Sequence, residues 1–118
     1  MKLLLIDDLR SFDDAKLIAV SRYRGASFVM ERISSVSIAR TLDTARVLLE
    51  KEHFDVLLVD HDLGETDSCG ADALKHLIET YLNDHKQLPE HVFAVSSNPA
   101  GIKKIEGYAK DIQRLRKK

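Results

Sequence analysis

Cysteine is almost missing from this chain, with Cys69 the only one in 118 residues. A single thiol excludes an internal disulfide framework and a zinc knuckle, and it suits a reducing cytosol. An excess of charge of either sign is also lacking. Eighteen basic residues face nineteen acidic ones, for a formal net charge of −1, so no global field favours nucleic acid or an anionic membrane. Long apolar runs are absent too. The opening run, Leu3 to Ile6, stops at Asp7 and Asp8. It is too short for a signal-peptide core, and no stretch approaches the ~20 residues of a membrane span. There is no G-x-G-x-x-G, P-loop, G-x-S-x-G or H-E-x-x-H. His53, His76, His85 and His91 are scattered and read as surface or satisfied core residues. With 44% hydrophobic and 31% charged residues, these absences leave one compact domain over residues 1–118, soluble and cytoplasmic, without repeats, low-complexity tracts or linkers.

What is present is an alternation of short apolar runs and amphipathic stretches. Residues 2–7 (K-L-L-L-I-D) read as a buried strand ending in acid. Ser11 and Asp14 form a capping box, so a helix starts near Phe12, carries Ala15, Leu17, Ile18, Ala19 and Val20, and ends by Gly25. Residues 26–34, with Phe28, Val29, Met30 and Ile33, fit a strand or a second helical piece equally. A strand over 35–40 follows, and Thr41 then caps a helix with Leu42, Ala45, Leu48 and Leu49 at helical spacing. Phe54 to Asp60 is the third strand. Its unbroken Val56–Val59 core is what a strand buried on both faces requires. A polar loop from Leu63 to Cys69 leads to a helix over 71–83, striped by Ala73, Leu74, Leu77, Ile78 and Tyr81. His91 to Val95 is the fourth strand. The last helix, from about Ala100, carries Ile102, Ile105, Tyr108, Ile112 and Leu115. Pro89 and Pro99 fall at element boundaries, where proline is tolerated. The pattern predicts an α/β fold, a three-layer, doubly wound parallel sheet of about four main strands with right-handed crossovers.

In a parallel sheet the carboxyl ends of all strands share one edge, where ligands bind. That placement gathers Asp7 and Asp8, Asp60, His61 and Asp62, with Ser96, Ser97 and Asn98 nearby. At ~4 Å and an effective dielectric of ~20, each close carboxylate pair costs about 4 kcal/mol. Either some acids keep a proton, or a hard divalent cation such as Mg²⁺ is shared among them, and the second is the more economical reading. The Ser/Asn cluster before a helix start would supply neutral donors to phosphate oxygens. The bland alternatives are solvated caps for the acids and simple capping for Ser96 and Ser97. Cys69 sits before a helix start without a base partner and reads as inert. Lys103, Lys104, Lys110, Arg114, Arg116, Lys117 and Lys118 read as a solvated helix end, since cations there are favoured by the dipole.

These residues resemble the receiver domains of two-component signalling, in which an acidic pair holds Mg²⁺, a strand-three aspartate accepts a phosphoryl group and a strand-four Ser/Thr binds it. The match is closer to a divergent branch, the cyclic-phosphate-processing receiver domains. It rests on I-D-D-x-R (Ile6, Asp7, Asp8, Arg10), on D-H-D-L-G (Asp60 to Gly64), on Gly70 with Asp72, and on S-x-N-P-x-G (Ser96, Asn98, Pro99, Gly101). Arg40 and Thr41 fit as well. The resemblance implies a receiver-like fold of flavodoxin-like strand order. Three departures stand out. Val95 occupies the position where many members carry a histidine. Residues 15–34 look like an insertion. After the fourth strand only one helix remains, with no fifth strand to bring a lysine to the site, so Lys103 or Lys104 would have to reach back from a helix.

The resulting expectation is a domain that binds or hydrolyses a phosphoester, a cyclic phosphate by resemblance. Asp7, Asp8, Asp60 and Asp62 would share one or two Mg²⁺ ions. Asp60 and His61 would be catalytic, with His61 as general acid/base. Ser96, Ser97 and Asn98 would hold phosphate. The partner would be a phosphate-containing small molecule or a phosphodonor, with nucleic acid engaged only through a phosphate end and no membrane. Rival readings are a stand-alone response regulator phosphorylated on Asp60, a non-catalytic interaction domain suggested by Val95, and a Toprim-type metal site, disfavoured because the glutamate expected after the first strand is absent.

Overall fold

The structure, a computed structural model, describes residues 1–63, 69–84 and 86–117. The expected alternation is present. The elements are β1 (Lys2–Ile6), α1 (Phe12–Arg22), α2 (Ala26–Glu31), β2 (Ser35–Ala39), α3 (Leu42–Lys51), β3 (Val56–Val59), α4 (Ala71–Asp84), β4 (His91–Ala94) and α5 (Pro99–Arg116). All pairings are parallel and the order is β2-β1-β3-β4. Leu3 lies opposite Val36 on one side and Val56 on the other, and β3 continues the register from Val56 to His91. The chain leaves β1 to one side to form β2, then crosses back to form β3. The β1/β3 boundary is therefore the switch point, where the crossover connections diverge and open a crevice at the carboxyl ends.

Side-chain alternation along the strands builds two cores. Leu4, Ile6, Leu57, Val59 and Ala94 meet Ala45 and Leu49 of α3, Leu74 and Leu77 of α4, and Ile105 and Ile112 of α5. On the opposite face Leu3, Leu5, Val56, Leu58 and Val95 meet Ala15 and Ala19 of α1 and Val29 and Met30 of α2. The central strands are buried on both faces, as the unbroken Val56–Val59 run requires. Both expected caps form: Ser11 Oγ accepts from Asp14 N at 3.2 Å and Thr41 Oγ1 from Thr44 N at 3.1 Å.

The open segment 26–34 resolves as a helix of one and a half turns, entered through Gly25 at φ 85°. Glycine takes that left-handed conformation without strain. Leu17 and Val20, expected with the apolar residues of α1, are exposed. The helix faces the sheet through Ala15 and Ala19, one turn apart, and those small side chains let it sit close, with Phe12 and Ile18 packed against the same core. The loop positions 64–68, including Gly64 of the D-H-D-L-G stretch, and His85 lie outside the described residues.

β4 is an edge strand, and side chains seal most of it. Val95 N–H bonds Val59 O and His91 N–H bonds Asp55 O, so from His91 on the odd-numbered residues face β3 and the even-numbered ones face outward, while Glu90 N–H shares Asp55 O. Of the outward groups, Glu90 C=O accepts from Gln113 Nε2 at 2.8 Å and Ala94 C=O from Arg22 Nη1 at 2.7 Å. Ala94 N–H donates to Tyr23 Oη at 3.3 Å, while Tyr23 O–H donates to Glu106 Oε2 at 2.8 Å. Burial and then Glu106 push the Tyr23 hydroxyl pKa up to about 12, so it stays protonated and able to donate.

Candidate functional site

The two carboxyl-terminal extensions of β1 and β3 are tied into the sheet before they diverge. Asp7 N–H donates to Ala39 O at 3.1 Å and Asp60 N–H to Ile6 O at 2.8 Å. Both aspartates therefore start from fixed backbone. Their carboxylates converge with that of Asp8, each offering an oxygen within 4.8 Å of the others. Asp7 is fully buried, Asp60 is 7% exposed and Asp8 is half-buried. They line a cleft of about 340 Å³ together with Leu9, Arg10 and Asp62.

Asp7 is held at both oxygens. Its Oδ1 accepts from the backbone N–H groups of Leu9 and Arg10 at 2.9 and 3.0 Å. Its Oδ2 accepts from Arg10 Nη1 at 3.1 Å. The same guanidinium nitrogen stands 3.5 Å from Asp60 Oδ2. From outside, Arg40 Nη1 donates to Asp7 C=O and Arg10 C=O at 3.2 and 2.6 Å, which locks the loop between them. Burial raises the Asp60 carboxyl above its ordinary range, and Asp7 and then Asp8 add in the same direction. Arg10 and the backbone N–H of His61 oppose the shift without cancelling it.

Glycines set the approach of the surrounding elements. Gly70 N–H donates to His61 C=O at 2.8 Å, and a Cβ there would stand 1.8 Å from the Asp60 carbonyl oxygen. A Cβ on Gly101 would fall 2.4 Å from His61 Cβ, so the start of α5 closes directly onto the histidine. His61 Nδ1 is 3.0 Å from Asp62 Oδ1.

The structure thus brings Asp7, Asp8 and Asp60 into one cluster and sets Asp62 on its rim, with a largely exposed side chain turned to His61. His61, Ser96, Ser97 and Asn98 lie outside the lining of that cleft. Ser96 is buried and its Oγ accepts from Asn98 N at 3.0 Å; Ser97 is exposed. Asn98 is the N-cap of α5, its Oδ1 accepting from Ala100 N at 3.0 Å and Gly101 N at 3.4 Å. Val95 points into the α1/α2 core, away from the acids. Lys103 and Lys104 are exposed on α5 and do not line the cleft. Sequence pattern alone gives Arg10 no role. Its only signal was its place in I-D-D-x-R.

The donor set fits a hard cation. Oxygens sharing one Mg²⁺ at ~2.1 Å stand at most ~4.2 Å apart, and the present spread of up to 4.8 Å asks only for side-chain adjustment. Three carboxylates carry more negative charge than the one guanidinium offsets, which favours a divalent ion.

A four-stranded parallel sheet with an acidic cluster at its switch point is the arrangement of a receiver domain. Its solved structural neighbours carry the same fold. The receiver domain (CheY-like) from Methylobacillus flagellatus matches with a TM-score of 0.55 at 14% identity, over 92% of this chain and 80% of that one. The receiver domain of the Francisella response regulator 1452 matches with a TM-score of 0.52 at 20% identity, over 98% and 96%. A fusion carrying a yeast Spc42 coiled-coil segment matches with a TM-score of 0.56 at 23% identity over 92% of this chain, which spans 61% of that longer one. The sequence finds no match among curated proteins. Within the receiver class, residues 2–111 match the family model of the cyclic-phosphate processing receiver domain, and the chain belongs to that family. No helix among the described residues is long and apolar enough to cross a membrane.

Proposed function

We propose that this domain binds and hydrolyses a phosphoester in a Mg²⁺-dependent manner, with a cyclic phosphate as the substrate class. The observation that carries the reading is the convergence of Asp7, Asp8 and Asp60 at the switch point, with Asp60 buried and its carboxyl shifted upward. The family's description supplies the substrate class. Bound Mg²⁺ would polarise the phosphoryl group and activate water. Asp7, fixed at Oδ1 by two backbone N–H groups, presents Oδ2 to the cleft, and Asp8 and Asp60 complete the carboxylate face. Asp62 orients His61: an Nδ1–H donated to Asp62 would leave Nε2 as the basic nitrogen, free to act as general acid/base. Ser96, Ser97 and Asn98 flank the start of α5, where the helix dipole favours an anion and their side chains would donate to phosphate oxygens. The partner is a phosphate-containing small molecule or a phosphodonor, nucleic acid engages only through a phosphate end, and the setting is cytoplasmic.

A second reading keeps the same site without turnover, with Asp60 as a phosphoryl acceptor. It is favoured by the fold shared with receiver domains of response regulators. Incubation with Mg²⁺ and either a panel of cyclic phosphates or acetyl phosphate separates the two. We expect product formation from a cyclic phosphate that disappears in Asp60→Ala. A stable gain of one phosphoryl group in intact mass, without turnover, would establish the acceptor instead. Absence of both reactions, with no Mg²⁺ binding by calorimetry, would leave a non-catalytic interaction domain.

A further inference from the structure

We propose that Arg10 is a built-in stand-in for the cation: its guanidinium occupies the acidic cluster when the ion is away, is expelled by the ion, and then binds the incoming phosphate. The inference rests on the Mg²⁺ reading of the site. Arg10 Nη1 bridges Asp7 Oδ2 at 3.1 Å and Asp60 Oδ2 at 3.5 Å. These two carboxylates belong to the cluster with ion-binding spacing. A metal ion ligated by the same oxygens would sit within a few ångströms of the guanidinium, and like charges that close repel. The ion, with twice the charge and shorter contacts, would displace the guanidinium from these oxygens.

The local architecture lets the side chain go while the loop stays. Asp7 Oδ1 is held by backbone N–H groups of Leu9 and Arg10, not by the guanidinium. Arg40 clamps the carbonyls of Asp7 and Arg10 from the other side. The backbone is thus fixed independently of where the Arg10 side chain points. A rotamer change therefore frees the carboxylates without refolding the loop. The expelled guanidinium remains at the mouth of the same cleft, with a planar fork that matches phosphate oxygens. Metal entry and phosphate capture then become one exchange: the ion removes the internal partner of Arg10, and the phosphate supplies a new one. By linkage the two ligands favour each other.

The exchange predicts opposite signs in a single variant. In Arg10→Gln, Mg²⁺ followed by calorimetry should bind about tenfold tighter, and inorganic phosphate added to the Mg²⁺-saturated variant should bind about tenfold more weakly than to wild type. Weaker binding of both ligands would mark a merely structural role for Arg10 and overturn the proposal. Tighter Mg²⁺ with unchanged phosphate would overturn the exchange. The wild-type chain gives a check that does not depend on the variant folding: the Arg10 Nε–H NMR signal should shift on Mg²⁺ addition and again on phosphate addition. An Arg10 signal indifferent to saturating Mg²⁺ would overturn the proposal while leaving the metal site standing. If wild type and Arg10→Gln both fail to bind Mg²⁺, the metal reading falls and the inference falls with it.

Discussion

Asp55 and Asp60 bracket β3, one at each end, and the fold treats them oppositely. At the entering edge of the sheet, Asp55 accepts from the backbone N–H of Lys2 at 2.8 Å and pairs with His53 Nε2 at 3.2 Å. The Lys2 N–H holds its carboxyl below the ordinary range despite some burial, with His53 helping. Its neighbours are matched as well, Lys2 with Glu52 and Arg116 with Glu90. At the leaving edge Asp60 shares one guanidinium with Asp7, and its carboxyl is raised. The entering edge also has the larger cleft, about 440 Å³ against about 340 Å³. Cleft volume therefore fails to identify the site here. Charge left short of partners is what sets the leaving edge apart, the kind of imbalance that marks a candidate functional site.

The contrast can be broken most severely through the glycine that lets the leaving edge close. Gly70→Ala places a methyl 1.8 Å from the Asp60 carbonyl oxygen. It should cost about 3 kcal/mol or more and lower Tm by over ~10 °C. Thermal unfolding reads the loss, and Mg²⁺ titration of the remaining folded protein should show weakened binding. A variant as stable as wild type would mean that the packing of Gly70 on Asp60 is not as close as described.

Asp60 and Asp55 sharpen the contrast through pH. A carboxyl whose folded pKa lies above its unfolded one contributes stability below the ordinary carboxylate range, and loses it as pH rises through the folded value. Wild type therefore carries a cost at neutral pH that Asp60→Asn removes. Without metal the variant should be more stable at pH 7, on the order of 1 kcal/mol or a few degrees in Tm, with the gain vanishing toward pH ~3.5. A variant less stable than wild type at pH 7 would contradict the direction of the Asp60 shift. Asp55 has the opposite sign: its stabilisation is present above the ordinary carboxylate range and is lost as pH falls through the depressed folded value. Asp55→Asn should destabilise at pH 7 by about 0.5 kcal/mol, since the group is partly solvated, and should converge with wild type in acid. Chemical denaturation at both pH values measures it. Equal stability at pH 7 would show that the Lys2 N–H and His53 contacts contribute nothing there.

Much of this was legible in the sequence because one rule carried it. Unbroken apolar runs ending in acid mark parallel strands, and strand ends share an edge, so Asp7, Asp8 and Asp60 could be brought together before any coordinate. Ser11, Thr41 and the stripes of α4 and α5 were equally readable, since capping and helical spacing are local. Residues 26–34 were not readable, because Phe28, Val29, Met30 and Ile33 satisfy both periods over so short a run. Arg10 was missed for a different reason. A cation two residues beyond an acidic pair looks like a solvated counter-charge, and only the Asx-type turn at Asp7 aims it inward. Asp62 and Asn98 were placed by adjacency in the chain. Local geometry gave each a prior partner, His61 for one and the first N–H groups of α5 for the other.

The sealed edge of β4 bears on what can add to that side of the sheet. An edge strand is a template on which other chains can grow, and proteins commonly blunt it with charge, bulges or a covering element. Here Gln113, Tyr23 and Arg22 take the outward groups of Glu90 and Ala94. Among the described residues that leaves Val92 as the only residue along this stretch with both outward backbone groups open. An arriving strand finds a single rung instead of a ladder. On this side the sheet ends in a hem, held by three side chains that lie apart from the acidic cluster.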